Sequence, residues 1–125
     1  MNKLRILSYA ATAALAAIAF QLQAQHYSCA ELDWPEQIAA IYENVAPACE
    51  ETIEIDGVRF GRFEATFLRE KVGQVTLGFR MPDGNTITQT FRPPETMRVN
   101  VDGKQMAFHQ LLHGQNVTLL IPEKR

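Results

Sequence analysis

The chain has 125 residues, 46% of them hydrophobic, with 12 basic and 14 acidic side chains and a formal charge of −2. That composition belongs to a globular chain. Its negative balance argues against nucleic acid as a partner.

The first predicted element is an export signal. Met1-Asn2-Lys3-Leu4-Arg5 carries two positive charges, a mostly apolar run follows from Ile6 to Phe20, and the chain turns polar at Gln21-Leu22-Gln23-Ala24. A basic start, a short apolar middle and a small residue before the cut are the parts of a cleaved secretory signal. The run is shorter than the roughly 20 apolar residues a membrane span requires. Cleavage after Ala24 is expected, which leaves residues 25–125 as one small domain without stable membrane insertion. Cys29 follows His26-Tyr27-Ser28, a poor context for lipid attachment. The expected location is therefore the periplasm or the exterior, where disulfides persist. The two cysteines, Cys29 and Cys49, are even in number, lie in the exported part and are expected to pair.

Asp33-Trp34-Pro35-Glu36 reads as a helix start, with Asp33 as N-cap and Glu36 completing a capping box. Trp34, Ile38, Ile41, Tyr42 and Val45 recur at helical spacing, and Pro47 ends the run. A helical segment over 30–50, bracketed by the cysteines, is predicted.

From Ile53 the period changes to two. Phe63, Ala65 and Phe67 alternate with Arg62, Glu64 and Thr66, and Val75, Leu77, Phe79 and Met81 alternate with Thr76, Gly78 and Arg80. Pro82-Asp83-Gly84-Asn85 is a turn, and Thr86–Arg92 returns with Ile87 and Phe91 inward. Pro93-Pro94 interrupts the ladder because neither residue has an N–H to donate. Met97–Val101 and Gln105–Phe108 form a hairpin through Asp102-Gly103. His109–Gly114 reads as one helical turn closed by glycine, and Val117–Ile121 as the last strand. The expectation is a mainly β domain (α+β): one helix, then five or six antiparallel strands curled over 53–122 into a small barrel.

Val99-Asn100-Val101-Asp102-Gly103-Lys104, followed by Leu111-Leu112, Gly114-Gln115 and Val117-Thr118-Leu119, resembles the last three strands of small SH3-like and OB-like barrels. The exported part as a whole is similar to small exported bacterial proteins of unknown function that end in this hairpin and a Pro-Glu tail, here Pro122-Glu123. The resemblance implies a fold and no activity. An OB fold places a helix between its third and fourth strands. Here Pro93-Pro94 stands in that gap, so SH3-like is favoured.

Without Lys3 and Arg5 the chain keeps ten basic and fourteen acidic residues. Eight of those acids lie between Glu31 and Asp56, with no lysine or arginine among them, so an acidic segment precedes a mildly basic one. The outward-parity arginines Arg62, Arg80, Arg92 and Arg98 are the candidate face for an anionic ligand, because the planar guanidinium donates in pairs. His109 and His113, four apart, would share one helical face where a metal could bridge them, but no third ligand is marked. Gln110 stands where a zinc-protease motif needs glutamate. Ser28 is the only serine after residue 24, and no glycine-rich phosphate loop is present. No catalytic constellation emerges and no cofactor is implied. The expected function is a non-enzymatic binding or interaction module for an anionic ligand or an envelope protein. A small exported inhibitor, an accessory of an envelope complex and a metal-binding protein are the alternatives.

Overall fold

The computed structural model describes residues 28–124. The expected export signal, residues 1–24, lies outside them.

The cysteines pair: Cys29 and Cys49 form a disulfide that closes a 20-residue span. Between them lies helix α1, Glu36–Val45, which turns Ile38 and Val45 into the core. It begins later than the capping box predicts. Pro35, extended at ψ 155°, occupies the N-cap position, and no side chain caps the first turn. Asp33 is instead held as extended chain, its carbonyl accepting from Lys124 N–H. Trp34 therefore precedes the helix, yet it is buried against Tyr42 and Phe63. After α1, a 3-10 turn at Ala46–Ala48 absorbs Pro47, and Cys49 already belongs to a strand rather than to a helix exit.

Seven strands follow, where five or six were expected: β1 Cys49–Ile55, β2 Val58–Lys71, β3 Gln74–Arg80, β4 Thr86–Phe91, β5 Arg98–Val101, β6 Lys104–Met106 and β7 Asn116–Pro122. The additional one is β1, which pairs with Val58–Phe63 of β2. All pairings are antiparallel, in the order β4-β3-β2-β7-β5-β6 with β1 alongside β2. β2 organises the sheet. One of its edges carries β1 and then β3, and the other carries β7 over Phe60–Thr66. A register shift between Phe67 and Arg69 marks a bulge where the strand bends. No ladder joins β4, β6 or the free side of β1 among the described residues, so the sheet is open and not closed into a barrel.

The inward parity read from the sequence holds. Phe63, Ala65, Phe67, Val75, Leu77 and Phe79 are buried in one cluster with Ile38, Val45, Val99, Val117, Leu119 and Ile121. Met81 is only half-buried, since β3 ends at Arg80. Burying one such side chain stabilises the fold by about 1.5–3 kcal/mol, and α1 closes the side of the cluster next to β4.

Three two-residue hairpin turns share one geometry. Asp56-Gly57, Val72-Gly73 and Asp102-Gly103 have φ near +50° at the first residue and near +80° at the second. This is the primed turn whose twist matches the flanking strands. Before β7 the helical turn is a 3-10 turn at Phe108–Gln110, beginning one residue earlier than expected and ending four residues before Gly114. Gly114, at φ +86°, closes the following loop.

Candidate functional site

The four arginines read as outward have different surroundings: Arg62 and Arg98 are half-buried, Arg80 and Arg92 exposed, and Arg92 lies just beyond β4. Arg62 is enclosed by acids, with a guanidinium nitrogen 2.6 Å from Glu51, 3.5 Å from Glu50 and 3.9 Å from Glu64. Both oxygens of Glu64 accept from the Thr118 hydroxyl, at 2.7 and 3.0 Å. Arg62 thus joins the acidic β1 to the centre of the sheet. Arg80 is exposed and donates to Asn116 Oδ1 at 3.2 Å. It stands between one depression with Pro47, Met81 and Pro82 and another with Asn100, Asp102 and Glu64. Arg92 is exposed at the opposite end of β4, its guanidinium over the backbone of Gly73.

Arg98 differs from the other three. It stands opposite Leu120 of β7, as Arg62 does on the far side of the same strand, so β7 separates the two. Its guanidinium carbon lies over the ring of Phe60, 5.1 Å from the centroid. Such a contact is attractive because the ring face is electron-rich. Among the described residues Arg98 makes no ion pair. Phe60 and Leu120 are buried at 3% and 7% exposure, yet both lie outside the main core cluster, on the outward face of the sheet. They form an apolar floor beneath a charged group.

Beside Phe60 and Arg98 opens a cavity of about 350 Å³ whose lining also includes Val58, Met97, Gln105 and Pro122 and two acids, Glu95 and Glu123. A second cavity of about 490 Å³, under Pro93, Pro94, Met106 and Phe108, shares Glu95, Met97 and Gln105 with the first. Glu123 does not neutralise Arg98. Arg59 holds it through two parallel bonds, Nε to Oε2 at 2.5 Å and a terminal nitrogen to Oε1 at 2.8 Å. The Arg59 guanidinium keeps the Glu123 carboxyl below its ordinary pKa, against the opposing effect of burial.

The chemistry available here is recognition: one cation, amide and carboxylate groups, and apolar walls. Phe60 and Leu120 were not singled out from sequence, although both have the parity of Arg62 and Glu64. An apolar residue on a polar stripe was the available signal.

The histidines do not share a helical face. The 3-10 turn ends at Gln110, beyond which His113 sits in a loop with Nδ1 2.8 Å from the carbonyl oxygen of Leu68. Since a carbonyl only accepts, Nδ1 is the donor in this contact. No group of three or more His, Cys, Asp or Glu placed to hold a metal occurs among the described residues. Ser28 caps the first 3-10 turn, its hydroxyl accepting from Ala30 N–H at 3.1 Å. No family model matches the chain, and neither a curated protein nor a solved structure matches it significantly.

Proposed function

We propose that this protein is a non-enzymatic binding module, exported to the periplasm or beyond, whose ligand sits beside Arg98. The observation that carries the reading is the unpaired Arg98 guanidinium over the buried Phe60 ring, at the wall of the 350 Å³ cavity. An apolar cavity with a few convergent polar groups is the usual form of a small-ligand site. The ligand class follows from the lining: a carboxylate or similar anion for Arg98, attached to an apolar body that rests against Phe60, Met97 and Pro122.

Export is supported by the N-terminal pattern and by the disulfide, a bond that persists in oxidising compartments. For the fold we favour an SH3-like relation over an OB-like one, because residues 92–97 between β4 and β5 contain no helix.

The test uses phenylacetate, with benzyl alcohol as its uncharged counterpart, followed by amide shifts in NMR spectra. The expected result is movement at Phe60, Met97, Arg98 and Gln105 with the acid alone, lost in Arg98→Gln. Absence of any response at these amides, to this acid or to larger aromatic and aliphatic carboxylates, would remove the reading.

A further inference from the structure

The far end of the β2–β3 hairpin has chemistry of its own. All six residues from Arg69 to Gln74 are exposed, so the hairpin projects past the core. At its tip Val72 is 85% exposed and has φ +52°. A β-branched residue is a genuine outlier in that region. The same chain supplies the comparison: the other two hairpins with this turn use aspartate at the equivalent position, Asp56 and Asp102. Asp and Asn tolerate the left-handed conformation, whereas valine is strained in it. Burial cannot offset the strain, because the side chain stands in solvent. Strain that the fold itself does not need points to a contact outside the fold.

A second apolar tip lies at the same end. Leu112, 73% exposed, is the only other large apolar side chain so open among the described residues. Its loop is clamped to β2 where Gly114 N–H donates to the Phe67 carbonyl and Phe67 N–H to that of Gln115. The neighbouring His113 meets the Leu68 carbonyl, four residues before Val72 along the hairpin, about 13 Å at the strand rise. The cations of this end are Arg69, Lys71 and Arg92, all exposed and without an ion pair among the described residues. Glu70 is the one acid of the hairpin end.

We propose that this end of the molecule docks on an anionic lipid surface, with Val72 and Leu112 entering the headgroup layer and Arg69, Lys71 and Arg92 meeting lipid phosphates. Convex, separate apolar tips set among cations suit a planar, deformable, negatively charged partner. An acidic protein groove would instead favour one continuous apolar patch. This contact is peripheral and independent of the Arg98 cavity, which opens on the outer face near the other end of β2.

The test is NMR of the protein, as the cell produces it, with bicelles carrying a spin-labelled lipid. Broadening at Val72, Gly73 and Leu112 is expected with phosphatidylglycerol present and not with phosphatidylcholine alone. Val72→Asn keeps the turn and removes the anchor, so bilayer affinity should fall about ten-fold, the loss of one buried valine, while the melting temperature rises. Arg69→Gln and Lys71→Gln should each weaken binding about five-fold. No broadening with anionic bilayers, or unchanged affinity in Val72→Asn, would overturn the proposal. So would an acidic protein bound at this hairpin in place of lipid.

Discussion

Gly61 and Trp34 are matched in shape: a Cβ at Gly61 would stand 2.5 Å from Cη2 of the Trp34 ring and 3.0 Å from the Cys49 sulfur. The indole and the disulfide thus pack directly onto the backbone of β2, which lets an extended segment before α1 close the core. Replacing Gly61 with alanine should force the ring aside, because a buried indole wedged against Tyr42 and Phe63 has no soft end to yield. Overpacking of that kind costs about 1–3 kcal/mol, to be read as a lower urea midpoint at unchanged slope.

The disulfide itself contributes through the unfolded chain. Closing the span from Cys29 to Cys49 corresponds to about 3 kcal/mol in the chain-entropy description. The Cys29→Ser, Cys49→Ser double variant should lose stability of that order and melt at clearly lower temperature. An unchanged melting temperature would mean that α1 docks equally well unstapled.

Glu123 sets an acid limit. Its carboxyl is held below the ordinary value of 4.5, first by the hydrogen bond from Arg59. A depressed folded-state pKa contributes stability that is complete above the unfolded value and disappears as pH falls through the folded one. The stability difference between wild type and Glu123→Gln should therefore be constant above about pH 5 and shrink below it. A difference that stays constant down to strongly acid pH would contradict the bidentate pair.

Arg62 and Arg98 flank Leu120 from opposite sides, and their variants should separate two roles. Arg62→Gln leaves Glu50, Glu51 and Glu64 near one another, so stability should fall by less than about 1 kcal/mol, as for an exposed charge network. Binding beside Phe60 should be unaffected. Arg98→Gln should behave in reverse, losing the ligand response with little change in melting. The same defect in both variants would argue for a single continuous arginine face.

Much of the core was legible because alternation on β2 and β3 is strict, and because Asp102-Gly103 permits only one kind of turn. The cysteine pairing was legible because there were only two to pair. The start of α1 was not, since Asp33 is engaged with the C-terminal tail, a contact 91 residues away that no local capping rule anticipates. β1 escaped because Cys49-Glu50-Glu51 reads as a polar, acidic stretch, while its strand state comes from the ladder with Val58–Phe63 of β2, where Arg62 meets those acids. Barrel closure was inferred from the need to cover edges, but among the described residues β6 is only three residues long and β4 has α1 beside it. The candidate cavity depends on Phe60 of β2 standing opposite Pro122 of β7, two strands distant in sequence that periodicity alone does not pair. The Val72 tip was missed because a valine in a strand-rich region reads as strand.

The most direct test of an exported binding module is native mass spectrometry of the protein recovered from cells, beside its Arg98→Gln variant. The expected result is a chain cut after Ala24, lighter by the two hydrogens of the Cys29–Cys49 bridge, with a bound species present on wild type and missing from the variant. An uncut chain with free thiols, or identical bare spectra for both proteins, would contradict it.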